Sequence, residues 1–359
     1  MHSTRHFFMY TQRPSQLFSL LLCILFVLCC TTLHSSTLPV LDDTTKWEVE
    51  ENTTTTADPS PPVAQPVSAV SSHPVVLGSA ADISQTKNRI CAVVTTATTS
   101  KLERKISSRS AIIIDAKTGK TLFSRNPDAP RQPASTIKVL TGMIALKSLN
   151  SSESVSVSSK AARQPRSKIY LDQRKVYMAD DLINAVLLAS ANDASVALAE
   201  KIAGDEQQFA KMMTLRAKLW GAQNTVCKTA TGLTAKGQTS TASDLATIFR
   251  HAMNDEEFSD RMKKVKTRTT DGQLLRNHNK ALWQVKGTLG GKTGYTNAAR
   301  QTYVGKFKRG KDEIIVAIMG SETMWADIKN LVEYGFQKKI TLSEEIDDLT
   351  QKTTLVAEL

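Results

Sequence analysis

The sequence predicts a mixed α/β domain, a mainly antiparallel sheet flanked by helices with a helical subdomain set between its strands. Three observations carry that expectation. Strand and turn signals stand at both ends of the foldable stretch, helical periodicity fills its middle, and an amphipathic helix closes it. Ala111-Ile112-Ile113-Ile114 reads as a buried strand, the Lys-Thr-Gly-Lys region after Asp115 as a turn, and Thr121-Leu122-Phe123-Ser124 as the returning strand of a hairpin. Pro133 stops any earlier helix, and the apolar run from Ile137 to Leu146 predicts a mostly buried helix. After a polar stretch from Asn150 to Lys168, Met178-Ala179-Asp180-Asp181 opens a helix that breaks at Ser190-Ala191-Asn192-Asp193. A second helix spans about Ala194 to Ala203 before Gly204, and Phe209 to Leu219 is amphipathic. Thr241-Ala242-Ser243-Asp244 resembles a capping box with Asp in place of Glu, starting a helix to about Met253. Lys263–Thr269 and Gln273–Arg276 flank Thr270-Asp271-Gly272, a hairpin signal. Tyr303–Phe307 and Glu313–Met319 pair around a basic turn, and Met324 to Phe336 forms the closing helix.

The 359 residues suffice for one large domain with extras or two ordinary domains. The formal charge is +12 and the pI about 9.4, which suits a solvated basic surface or attraction to an anionic polymer or membrane. No zinc-finger spacing, basic heptad helix or aromatic RNA-binding motif is present, so nucleic acid is not an expected partner. Residues 1–36 carry an early Arg5 and Arg13, no acid before residue 17, and an apolar run from Leu17 to Cys30. This reads as a secretory signal, with an uncleaved anchor or lipidation at Cys29 or Cys30 as alternatives. Each places the remainder outside the cytoplasm, in the periplasm or a comparable compartment. Residues 37–104 form a Thr/Ser/Pro-rich linker expected to be largely disordered. The domain proper is expected over 105–337, followed by a short tail at 338–359 with an acidic stretch, Glu344-Glu345-Ile346-Asp347-Asp348. Outside the N-terminal segment only Cys91 and Cys227 remain, which make no disulfide framework, and whether they pair stays open. The histidines show no metal-ligand spacing beyond His2 and His6, and no Cys-x-x-Cys occurs, so no metal or cofactor is expected.

The candidate chemistry begins at Ser135-Thr136-Ile137-Lys138. Residues three apart on a helix share a face, so Ser135 and Lys138 can point the same way. A lysine desolvated beside a hydroxyl makes that hydroxyl nucleophilic without histidine. Ser84-Gln85-Thr86-Lys87 shows that the spacing also arises by chance. Ser190-Ala191-Asn192 sits at a helix junction, where a loop aims side chains into a cleft. Lys292-Thr293-Gly294 follows two glycines and reads as the start of a strand. Ser124-Arg125-Asn126, Ser148-Leu149-Asn150 and Lys117-Thr118-Gly119 are copies of the later motifs, the last excluded because it lies in the first hairpin tip. The ordered trio matches the set used by β-lactamases and penicillin-binding proteins.

From about Arg109 to Phe336 the chain resembles the serine-type D-alanyl-D-alanine carboxypeptidases, the low-molecular-mass penicillin-binding proteins. The resemblance extends to Ile114-Asp115-Ala116-Lys117-Thr118-Gly119-Lys120, Leu188-Ala189-Ser190-Ala191-Asn192-Asp193-Ala194, Leu275-Arg276-Asn277-His278-Asn279 and Gly291-Lys292-Thr293-Gly294-Tyr295-Thr296. It implies a penicillin-binding/β-lactamase-like fold and a peptidoglycan stem peptide ending in D-Ala-D-Ala as substrate, with β-lactams as covalent inhibitors. By that resemblance Ser135 attacks the terminal peptide carbonyl, Lys138 takes its proton, and Ser190 relays a proton to the leaving D-alanine. Asn192 holds the substrate amide and the lysine, while Lys292 and Thr293 bind the terminal carboxylate. Gly294 lets substrate lie along the strand, and the N–H groups of Ser135 and Tyr295 form the oxyanion hole.

Two departures stand out. Arg300 occupies a position where the family often has Gly, and would either touch the substrate carboxylate or brace the strand. Little sequence follows Phe336, whereas many relatives carry a second β-rich domain and a C-terminal anchor, so attachment to a membrane would fall to the N-terminal segment. A class A β-lactamase would need a deacylating Glu-x-x-Leu-Asn, and Glu200, Glu206, Glu256 and Glu257 have the wrong neighbours. A DD-endopeptidase shares every motif, and a catalytically silent wall-binding protein on the same fold is the alternative of a different class.

Overall fold

In the computed structural model the chain is described over residues 101–357, with side chains to Glu345. The expected signal segment, most of the linker and Cys91 lie outside these residues. A five-stranded sheet runs in the order β2-β1-β9-β8-β7, every neighbouring pair antiparallel. Its strands are β1 (Ser110–Asp115), β2 (Thr121–Arg125), β7 (Thr288–Thr296), β8 (Arg300–Arg309) and β9 (Asp312–Ser321). Two small hairpins accompany it, β3 (Ser154–Ser156) with β4 (Val176–Met178), and β5 (Lys266–Arg268) with β6 (Leu274–Arg276).

Strand alternation builds two cores. On β1 and β9, Ile112, Ile114, Ile315, Ala317 and Met319 face one core. Ala111, Ile113, Ile314, Val316 and Ile318 face the other. The first core is covered by α1 (Lys138–Ser148), α2 (Ser159–Ala162), α3 (Ala179–Leu187), α4 (Asn192–Ala203), α5 (Glu206–Leu219), α6 (Ala242–Ala252) and α7 (Glu256–Lys263). The second is covered by α8 (Ala281–Gln284) and α9 (Met324–Ala357). Burial on both faces explains why β1 and β9 read as continuous apolar runs rather than as alternating ones.

Several expectations needed correction. Residues 101–105 are helical, and Leu102 and Ile106 are buried in the second core, so the last residues of the stretch read as linker belong to the fold. Helix α9 does not stop near Phe336 but runs through the expected tail to Ala357. Lys339 ties its middle to the sheet by pairing with Asp115, which caps the first hairpin turn, and with Asp312. The polar stretch after Asn150 contains β3 and α2, and Lys263 closes α7 rather than opening a strand. These short elements escape periodicity because one or two turns hold too few residues to show a period. The Thr241 cap is present, its side chain accepting from the Asp244 N–H at 3.0 Å.

Asp327 fastens the domain where its ends meet. It is wholly buried, and its carboxylate accepts from the Ser107 N–H (2.9 Å), the Ser108 N–H (2.8 Å) and the Ser321 hydroxyl (2.8 Å). It also accepts from the hydroxyls of Ser107 (2.9 Å) and Thr323 (3.0 Å). This one group therefore joins the entry to β1, the exit of β9 and the first turn of α9. Asp327→Ala would strand buried donors and is expected to lower stability by about 3 kcal/mol. Thermal unfolding should then fall by roughly 6–12 °C. A shift within error would show that the junction is held by packing alone.

Candidate active site

The segment before α1 places Ser135 differently from the expected first helical turn. Residues Ala134–Ile137 form one tight 3-10 turn, and Lys138 then opens the α-helix. Ala134 is left-handed, with φ of 50°, a conformation that costs a non-glycine residue energy and is tolerated where surroundings over-determine it. Those surroundings are specific. The Pro133 carbonyl accepts from the hydroxyls of Thr136 (2.6 Å) and Thr302 (3.0 Å), fixing the turn to β8. Gly232 passes so close that a Cβ there would lie 2.0 Å from the Ala134 carbonyl oxygen. Ser190 (φ 58°) and Arg300 (φ 56°) are strained in the same sense.

Lys138 is fully buried, and its amine lies 3.0 Å from Ser135 Oγ, 2.7 Å from Asn192 Oδ1 and 2.6 Å from the Thr231 carbonyl oxygen. Burial, reinforced by the nearby charge of Lys292, holds the amine well below the ordinary lysine value, against opposing pulls from Asp193 and Glu206. A neutral amine has two N–H donors and one lone pair. The carbonyl oxygens of Asn192 and Thr231 can only accept, so they claim the two donors, and the lone pair is left for the Ser135 hydroxyl. The arrangement thus accommodates the neutral amine, the form that can remove a proton from Ser135, and burial favours that form.

Asn192 opens α4, and its amide donates to the Pro165 (3.0 Å) and Arg166 (3.1 Å) carbonyls. It therefore holds the lysine as expected, but its donors are committed to the 165–166 loop rather than left for a substrate amide. Asp193, also buried, grips the same loop by accepting from the N–H groups of Ile169 and Leu171, each at 3.1 Å.

Lys292 lies in the middle of β7, not at its start. It is buried, donates to Ser190 Oγ at 2.8 Å, and is lowered by burial to about 7. Strand β7 is the sheet's edge, so one side pairs with β8 and the other faces the 3-10 turn. At Gly294 a Cβ would lie 2.8 Å from the Ser135 nitrogen and 2.4 Å from Thr302 Oγ1, so glycine is what lets the strand approach the Ser135 N–H. Ser135, Ser190, Asn192, Thr293, Gly294 and Tyr295 all border one cleft of about 440 Å³. Lys138 and Lys292 reach it through their bonds to the two serines.

Sequence reasoning missed four contributors. The Thr231 carbonyl lies in a segment read only as a loop, and its one signal was that a buried lysine demands acceptors. His278 enters the cleft between two buried residues, Asn277 and Asn279. Although its ring opens to the cleft, burial followed by the charges of Lys292 and Lys138 lowers it to about 4. Met324 and Trp325 supply an apolar wall from the start of α9. Arg300 is not among the cleft residues; its guanidinium forks onto Glu322, at 2.9 Å from Nε. Among the described residues no three His, Cys, Asp or Glu side chains converge to hold a metal. Among the described residues Cys227 is buried with no disulfide partner, its thiol pushed up to about 12.

Known proteins resemble this chain in sequence and fold. DacB2 of Mycobacterium tuberculosis, a D-alanyl-D-alanine carboxypeptidase, is 35% identical over 236 residues, covering 63% of this chain and 81% of the relative. DacF of Bacillus subtilis, of the same designation, is 31% identical over 248 residues, and the match covers 64% of this chain but only 62% of the relative's length. The ampicillin-bound structure of a penicillin-binding protein from Listeria monocytogenes superimposes with a TM-score of 0.60 at 27% identity, covering 64% of this chain and 98% of that one. The family profile described as D-alanyl-D-alanine carboxypeptidase fits residues 95–323, from just before the first helical turn to the start of α9, and so the chain belongs to the D-alanyl-D-alanine carboxypeptidase family.

Proposed function

We propose that this chain is a serine-type hydrolase that removes the terminal D-alanine from peptidoglycan stem peptides through an acyl-enzyme on Ser135. The observation that carries this reading is the Lys138 amine, buried and saturated by two carbonyl oxygens and the Ser135 hydroxyl. Ser135 Oγ attacks the penultimate carbonyl carbon as its proton passes to Lys138 Nζ. The carbonyl oxygen becomes an oxyanion facing the N–H groups of Ser135 and Tyr295. Collapse breaks the C–N bond, and the leaving amine takes a proton. Ser190 suits that delivery: its O–H donates to the amine while its oxygen, held by Lys292, takes up the proton that Lys138 removed from Ser135, so Lys138 is neutral again and Ser190 is restored. Water then repeats the sequence on the ester and releases the shortened peptide.

Recognition follows from the edge strand. An extended peptide adds to β7 by main-chain hydrogen bonds, and Thr293 with the Lys292 charge receives its carboxylate. A β-lactam presents a carboxylate and an acylating carbonyl to the same groups, in keeping with the ampicillin-bound relative. We further propose that the chain is exported, since its substrate class lies outside the cytoplasm, and that the apolar segment Leu17–Cys30 directs or anchors it. Among the described residues no helix is long and apolar enough to cross a membrane.

Three measurements test this reading. Purified protein should be labelled by a fluorescent penicillin and should release D-alanine from a pentapeptide ending in D-Ala-D-Ala. Ser135→Ala should lower both by roughly 10⁴-fold or more. Wild-type protein that does neither is not an enzyme of this class, and release from cross-linked dimers as well would make it an endopeptidase. Gly294→Ala should slow acylation by roughly 10²-fold, through displacement of the Ser135 N–H, and should lower the unfolding temperature modestly because the added methyl meets Thr302 and the turn.

The pH dependence has a defined sign. Lys138 acts only when deprotonated, so kcat/KM rises with pH through its depressed pKa. Lys292 serves the carboxylate only when protonated, so kcat/KM falls as pH passes about 7. A bound carboxylate favours the charged lysine, so the alkaline limb of kcat should lie at higher pH than that of kcat/KM. Coincident limbs would detach Lys292 from carboxylate recognition.

A further inference from the structure

Helix α5 carries a second apolar stripe that the fold does not use. Phe209, Ala210, Met213 and Ala217 face the core. On the opposite side Met212, Leu215 and Leu219 are 40%, 60% and 70% exposed. Their spacing of three and four places them in one line along the helix. Lys211 and Lys218 flank the line on one side and Arg216 on the other, all exposed. Lys228 joins Lys211 and Lys218 around a groove of about 580 Å³ beside the helix, and Lys147 joins Arg216 around a second of about 210 Å³. Among the described residues, Lys211, Lys218 and Lys228 have no carboxylate partner. By contrast Lys147 pairs with Asp255, and Arg216 lies over the Trp220 ring.

We propose that this face of α5 rests on a bilayer surface rich in anionic lipid, Met212, Leu215 and Leu219 entering the headgroup boundary and the flanking cations meeting lipid phosphates. Two features single out that occupant. The charge is complementary, since unpaired cations border the stripe in a chain of net charge +12. The stripe is also the outward ridge of a helix, a convex shape that an interface accepts lengthwise, with aliphatic side chains in the middle and basic ones at the water edge. An anionic polymer would engage the lysines but leave the leucines in water.

None of these residues borders the catalytic cleft. Variants should therefore retain penicillin labelling, which also verifies that they fold. Because Leu17–Cys30 would itself hold the full chain to vesicles, the measurement has to be local to α5. Leu215→Trp places an indole on the stripe, and Leu219→Trp does so independently. In vesicles of brominated phosphatidylcholine mixed with phosphatidylglycerol, the emission of the added indole, corrected for wild type, should be quenched roughly twofold or more. In brominated phosphatidylcholine alone it should not. Reversing Lys211, Lys218 and Lys228 to Glu should bring the mixed-vesicle signal down to the phosphatidylcholine value. No quenching in the mixed vesicles with either indole would overturn the proposal, as would quenching indifferent to lipid charge. A blue shift of the indole on adding an acidic polypeptide, without quenching in vesicles, would assign the face to a protein partner instead and also overturn it.

Discussion

The site depends on one buried amine. An isolated ammonium inside protein is strongly disfavoured, so a lysine at this depth must either be paired with a carboxylate or give up its proton. No carboxylate touches Lys138; its partners are a hydroxyl and two carbonyl oxygens. The second course follows, and the amine becomes a base poised on Ser135. The neighbouring Lys292 adds to this pressure. Two lysines in one buried region would be a liability in a purely structural core. Here burial, with the Lys292 charge adding to it, favours the neutral form of Lys138, while burial lowers Lys292 as well and a bound anion would favour its charged form.

The rest of the molecule supplies that amine with its partners. These partners come from parts of the chain far apart in sequence: Asn192 from the start of α4, Thr231 from the loop beyond α5, and Ser135 from the turn before α1. The sheet holds the turn through Thr302 and Pro133, and the strained backbone at Ala134 survives because Gly232 and Gly294 leave room around it. Strain of this kind is stable only when the surroundings determine it more firmly than the residue's own preference. The buried carboxylate of Asp193 plays the corresponding part for the 165–171 loop, which forms the opposite lip of the cleft.

The sheet contributes topology as well as rigidity. Leaving β7 at the edge gives the cleft an unpaired row of backbone groups, which an extended peptide can complete. Edge strands usually invite unwanted pairing. This one is partly shielded by the 3-10 turn, and its glycines admit only a close, extended approach. In the proposed reading, recognition by main chain would leave few side chains to orient a substrate, with Lys292 and Thr293 marking its end. Just beyond β7, Arg300 at the start of β8 is held by Glu322, so the departure from the family's usual glycine braces the hairpin rather than crowding the cleft.

Much was legible in the sequence because it depends on local order. The buried strands at Ile112 and Ile315, the Thr241 cap, the first hairpin and the three motifs all declare themselves within a few neighbouring residues. The residues Ser135, Lys138, Ser190, Asn192 and Lys292 could be named because each motif sits in its own local context and in a fixed order. What the tertiary structure alone decided is how they meet. That Thr231 offers its carbonyl, that Asn192 spends its amide on the 165–166 loop, and that His278 and Trp325 border the cleft are matters of long-range packing, to which nothing in a local pattern responds. The same holds for α9, whose continuation past Phe336 is helped by Lys339 reaching Asp115 and Asp312, acids distant in sequence. Local chemistry determined which groups the protein possesses; the burial that turns a lysine into a base belongs to the assembled fold, because desolvation is a property of everything that surrounds it.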